Sequence, residues 1–212
     1  MPPRRVMVLV LVLVAAGAAV TLPRLRPSTF NGTALPASSP AHDFTLESDR
    51  GPVSLAGFRG RAVLLFFGYT SCPDICPTTM AKLRQVTEGL GEERRDVQVI
   101  LVTVDPAVDT PHRLREYVRA FDPGFIGLGG ERAELAEVAR SFGAWGGEPQ
   151  QAPAPAAPSH EGHGAPGPGP ERIIPHTSHV FGLDRDGRFR LLWSPDLTAE
   201  QIADDVRGLL RL

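Results

Sequence analysis

Two apolar runs, residues 62–67 and 97–104, limit the folds open to this chain more than any other feature. The first contains no polar residue, and the second is rich in β-branched side chains. A strand without polar alternation offers no face to water, so it belongs inside a sheet covered on both sides, as central parallel strands are. Helix signals follow each run. Pro77 stands in the first turn of a helical stretch over 77–90, and Thr110 and Pro111 open another through Phe121, with Leu114, Val118 and Phe121 on one face. A short apolar strand, 125–128, turns at Gly129 and Gly130 into a helix over 131–142. This alternation predicts an α/β domain of three layers.

Hairpins flank the alternating region. Segments 44–47 and 52–55 surround the turn Ser48-Asp49-Arg50-Gly51, and segments 179–183 and 188–193 surround Asp184-Arg185-Asp186-Gly187. Thr198 caps a closing amphipathic helix that ends near Leu210, with Ile202, Val206 and Leu209 on one face. A hairpin, then strand–helix, strand–helix, strand–helix, hairpin and helix is the element order of a thioredoxin-like fold with an added N-terminal hairpin.

The ends and the middle of the chain read differently. Residues 1–22 form a membrane anchor or signal segment, in which Arg4 and Arg5 precede an apolar run about as long as the shortest spanning helix. Residues 23–42, rich in Pro, Ser, Thr and Ala, read as a flexible tether, and globular sequence begins near Asp43 and continues to residue 212. Residues 146–170 are dominated by Pro, Gly, Ala and Gln and carry His160 and His163. This stretch reads as a disordered loop inserted mid-chain, where two histidines could pick up metal transiently. The anchor places the globular part outside the cytoplasm.

A net charge of -2 gives no basic surplus, which argues against a nucleic-acid partner. The two cysteines, Cys72 and Cys76, cannot make a disulfide framework, so they form one bridge, one metal site or one redox couple. They are separated by three residues at the handover from a strand to a helix, about one turn apart on one helix face. The helix N-terminus favours thiolate over thiol. Two thiolates suit Cu(I), and an imidazole would complete a three-coordinate site that also tolerates Cu(II). Zinc prefers four ligands, and no fourth is evident.

Six histidines are available. His42 lies in the tether and His112 in the first turn of its helix, where it is expected to face solvent. His176 and His179 stand at the entry to the second hairpin, and in an extended segment their odd separation points them to opposite faces. Spacing does not choose between them. Asp74 reads as a solvated helix-start residue, and one of Asp105 and Asp109 is expected to cap the helix that follows. The local sequence supplies no cation to activate a peroxidatic cysteine.

The run Gly68-Tyr69-Thr70-Ser71-Cys72-Pro73-Asp74-Ile75-Cys76-Pro77-Thr78 resembles the signature of the Sco/SenC family of copper-binding proteins. The similarity continues through Val104-Asp105-Pro106, Asp109-Thr110-Pro111 and the stretch from Phe125 to Gly130, and ends with His176-Thr177 ahead of the second hairpin. It implies a membrane-tethered, extracytoplasmic, thioredoxin-like protein that helps load copper into the binuclear copper site of cytochrome c oxidase subunit II. It also implies Cys72, Cys76 and His176 as ligands of Cu(I) or Cu(II), and another periplasmic copper carrier as a possible second partner. The family often has Asp immediately before its ligand histidine, where this chain has Pro175. The resemblance points to a metallochaperone rather than an enzyme. The alternative is a thiol–disulfide oxidoreductase that keeps the acceptor's cysteines reduced.

Overall fold

The computed structural model describes residues 30–36, 43–144, 150–151, 172–173 and 177–212. The expected anchor, most of the Pro/Gly loop with His160 and His163, and residues 174–176 with Pro175 and His176 lie outside them. No helix among the described residues is long and apolar enough to cross a membrane.

In chain order the elements are β1 (Thr33–Ala34), β2 (Thr45–Ser48), β3 (Gly51–Ser54), β4 (Ala62–Gly68), α1 (Ile75–Gly89), β5 (Val97–Thr103) and α2 (Pro111–Arg119). They continue with β6 (Ile126–Leu128), α3 (Arg132–Ser141), β7 (Gln150–Gln151), β8 (Arg172–Ile173), β9 (Val180–Leu183), β10 (Phe189–Trp193) and α4 (Ala199–Leu210). Six strands form the central sheet in the order β1-β10-β9-β4-β5-β6. β5 runs parallel to both β4 and β6, while β9 is antiparallel to β4 and β10. The hairpin β2–β3 stands apart and touches the sheet through paired backbone bonds between Glu47 and Gly129.

β4 explains the layers. All of its residues are buried, and their alternation divides the core. Leu64 and Phe66 pack with Met80, Leu83, Leu114, Ile202 and Val206 on the side of α1, α2 and α4. Val63, Leu65 and Phe67 pack with Leu46, Leu135, Val138 and Phe142 on the side of α3 and the hairpin. The alternating apolar strands therefore do what their composition requires, with helices covering both sheet faces. Gly182 in β9 leaves room for the Trp193 ring, since a Cβ there would come within 2.6 Å of it.

Three boundaries differ from the sequence reading. α1 begins at Ile75, ahead of Pro77, which a first turn tolerates because its N–H groups have no intrahelical partners. Gln150 and Gln151, inside the expected loop, pair antiparallel with Arg172 and Ile173 and bring its ends together. Part of the expected tether is folded: Thr33 and Ala34 pair with Leu192 and Leu191 at the sheet edge. The buried Asp205 carboxylate fixes this segment by accepting from Asn31 N, Asn31 Nδ2 and Gly32 N at 2.8, 2.9 and 2.8 Å, and from Trp193 Nε1 at 2.8 Å. A two-residue strand held by a distant carboxylate leaves no periodicity to read.

If both faces of β4 are core, Leu64→Ala and Leu65→Ala should each lower stability by about 2–5 kcal/mol in denaturant unfolding. A sheet with one wet face would show the loss for only one of them.

Candidate metal centre

β4 ends at Gly68, and the chain turns through Tyr69, Thr70 and Ser71, with Cys72 N donating to Tyr69 O at 3.3 Å. Cys72 is 8% exposed and Cys76, in the first turn of α1, is 0% exposed. Both are reduced, with no disulfide between them. Asp74 holds the N-cap position of α1 without a side-chain cap bond, and it is exposed as expected. The N–H of Cys76 instead donates to Cys72 Sγ at 3.4 Å. A sulfur thus takes over the capping role that an oxygen usually fills. Gly68 makes the space: a Cβ there would stand 3.0 Å from Cys76 Sγ.

The protonation of Cys76 departs from the sequence reading. The hydrogen bond with Cys72, followed by burial, pushes the Cys76 thiol well above its usual range. A helix N-terminus favours an anion by about 2 kcal/mol at most, and removing a sulfur completely from water opposes it more strongly. The metal-free Cys76 is therefore a neutral thiol, and metal binding must displace its proton.

Among the described residues no three His, Cys, Asp or Glu side chains gather as a metal cage, so His179 does not join the cysteines. His179 is half-buried, and its Nδ1 has no hydrogen-bond partner among the described residues. His112 faces solvent, 3.5 Å from Glu116. The register of β9 on β4, with Val180 opposite Phe66, brings the chain entering β9 to the end of β4 from which the cysteine turn departs. Two soft sulfurs on one turn, with an approach for a third donor, fit a low-coordinate copper ion.

The surrounding residues were not legible in the sequence. Asp109 does not cap α2; Thr110 does, its Oγ1 accepting from Arg113 N at 3.2 Å. The Asp109 side chain, 0% exposed, reaches back to the cysteine turn and accepts from Thr70 N at 3.0 Å and Thr70 Oγ1 at 2.5 Å. Thr103 Oγ1 donates to the same carboxylate at 2.6 Å. Arg113 supplies a cation near the turn, donating from Nε to Thr70 Oγ1 at 2.6 Å. Tyr117 on α2 packs against the cluster that contains Cys72 and Cys76, and its buried hydroxyl has no hydrogen-bond partner. Burial above all pushes its phenol above the usual range.

Comparison with known proteins bears directly on this arrangement. The family model described as SCO1/SenC matches residues 33–211. The chain belongs to the SCO1/SenC family. The mitochondrial SCO2 homolog of Bos taurus is 38% identical over 168 residues, covering 78% of this chain and 58% of the bovine protein. The chain thus spans little more than half the length of that Sco relative. The solution structure of apo Sco1 from Thermus thermophilus is 38% identical with a TM-score of 0.68, covering 85% of this chain and 97% of that one. The structure of Bradyrhizobium japonicum ScoI with copper bound is 30% identical with a TM-score of 0.64, covering 80% and 98%. The mixed α/β, thioredoxin-like fold is that of these Sco structures, and copper is the metal held by the ScoI protein.

Tyr117→Phe removes only a hydroxyl that lacks a partner. It should raise the stability of the metal-free protein by about 1 kcal/mol, since an unsatisfied buried polar group costs energy. Chemical denaturation of both proteins, fitted with a common slope, checks the sign.

Proposed function

We propose that this chain is an extracytoplasmic copper metallochaperone that delivers copper to the binuclear site of cytochrome c oxidase subunit II. Its family comprises copper-binding proteins of cytochrome c oxidase assembly. The observation that carries the reading is the pair of reduced thiols, Cys72 and Cys76, joined by an N–H to sulfur bond at the end of β4. His176 is the third ligand in this proposal, and its place just ahead of the segment that enters β9 supports it. Copper is cargo: thiolates of the acceptor displace Cys72 and Cys76 one at a time, and each released sulfur recovers a proton. The segment over 1–22 would anchor the domain at the membrane. His160 and His163 would give the inserted loop a weak site for pick-up from another periplasmic carrier.

A second reading rests on the same reduced dithiol. Cys72 and Cys76 could oxidise to a disulfide while reducing the acceptor's cysteines, a thiol–disulfide oxidoreductase activity in which the electron pair passes to the acceptor disulfide.

Metal analysis of protein loaded with Cu(I) should find one copper per chain, abolished in Cys72→Ala and Cys76→Ala. His176→Ala should bind more weakly and lose the thiolate-to-Cu(II) absorption band of the wild type. Unchanged copper in the cysteine variants would refute the chaperone reading. An intact band in His176→Ala would move the third ligand elsewhere.

A further inference from the structure

Asp109 is a buried acid that neither caps a helix nor stands among the proposed ligands. Besides an ion pair from Oδ1 to Arg113 Nε at 3.8 Å, its carboxylate binds two threonines. Oδ2 accepts from the backbone N–H of Thr70 and the hydroxyl of Thr103, and Oδ1 accepts from the hydroxyl of Thr70. Both threonine hydroxyls are used twice. Thr103 Oγ1 accepts from Asp105 N at 2.9 Å while donating to Asp109. Thr70 Oγ1 accepts from Arg113 Nε while donating to Asp109. Each hydroxyl proton therefore has a single direction, and bonds linked in this way favour one geometry. The parallel register places Gly68 opposite Thr103, so this network lies beside the point where the cysteine turn leaves β4.

Thr70 is separated from Cys72 by Ser71 alone, and the bond from Cys72 N to Tyr69 O removes slack between them. Whatever holds Thr70 also holds Cys72. We propose that Asp109 is a positioning residue for the copper site, fixing through Thr70 the turn that keeps Cys72 Sγ over the first turn of α1 beside Cys76. The proposal rests on the copper reading of the cysteine pair, and it assigns Asp109 no contact with the ion. In metal sites, groups that orient the ligands typically set affinity by 10–100-fold.

Asp109→Asn tests this without changing volume. If the amide nitrogen takes the place of Oδ2, it meets two donors; if it takes the place of Oδ1, it meets the donating hydroxyl of Thr70. Either way the bonds to Thr70 lose the carboxylate's charge, and bonds to a charged partner are roughly twice as strong as neutral ones. Thr70→Val, which removes only the hydroxyl, carries the test by the same criteria if Asp109→Asn does not fold. Asp122→Asn is the control. This acid is also buried and also accepts a backbone bond, from Gly124 N at 2.7 Å, but it lies beyond the far end of α2.

The full chain is compared with these variants by circular dichroism, by competition for Cu(I) with a chromophoric chelator, and by the thiolate-to-Cu(II) absorption band. The metal-free proteins are also equilibrated in glutathione buffers to read the Cys72–Cys76 disulfide. Asp109→Asn should remain folded and bind one copper roughly 10–100-fold more weakly. It should also show a displaced absorption band and an equilibrium shifted toward the dithiol, while Asp122→Asn leaves all three readouts at wild-type values. Wild-type affinity and band in Asp109→Asn, or an equal loss in Asp122→Asn, would overturn the positioning role and leave the copper reading intact. Absence of copper from the wild-type cysteines would instead remove the copper reading. The disulfide equilibrium then decides alone: a shift in Asp109→Asn supports positioning of Cys72, and none overturns it.

Discussion

The burial of β4 on both faces is the constraint from which the site follows. A strand wedged between two apolar layers cannot slide or tilt, because a shift of one residue would exchange the faces on which its side chains pack. Its C-terminal end is therefore a fixed point. Three segments converge there by register: the cysteine turn that continues the strand, the loop after the parallel neighbour β5, and the chain entering the antiparallel neighbour β9. Residues remote in sequence become neighbours only because the strands between them are pinned.

Competing electrostatic effects then decide the chemical state of the pair. The helix terminus invites a negative sulfur, while a fully buried Cys76 and a sulfur hydrogen bond resist it. Resistance wins in the metal-free protein, which keeps the proton until a cation replaces it. Cys76 is then a poor nucleophile until a soft metal ion takes the place of its proton. Gly68 contributes by omission, since the volume its side chain would fill belongs to sulfur.

Much of this was legible because composition and period report burial directly. The apolar runs of β4 and β5, the turn at Asp184 to Gly187, and the Thr198 cap appear in the structure as read, the cap with Gln201 closing its box. Cys72 and Cys76 also stand where they were read, at the handover from β4 to α1. The role of Asp109 did not show, because its contact with Thr70 spans 39 positions and depends on the Gly68–Thr103 register. A pattern that looked like a helix cap turned out to have Thr110 in that place. The cation denied to the site by its local sequence arrives as Arg113 from α2, for the same reason.

The small strand β1 has a consequence for how this domain should be handled. Among the described residues, β10 has β9 on one side and only Thr33 and Ala34, with a bond from Leu35 N to Arg190 O, on the other. A chain shortened to begin at Asp43, where composition alone starts the globular region, would leave that side as a row of bare amide and carbonyl groups. It would also strip Asp205 of every backbone N–H it accepts. Bare strand edges template pairing with other copies. Self-association of such a shortened domain would therefore reflect a missing edge cover and say nothing about its native assembly.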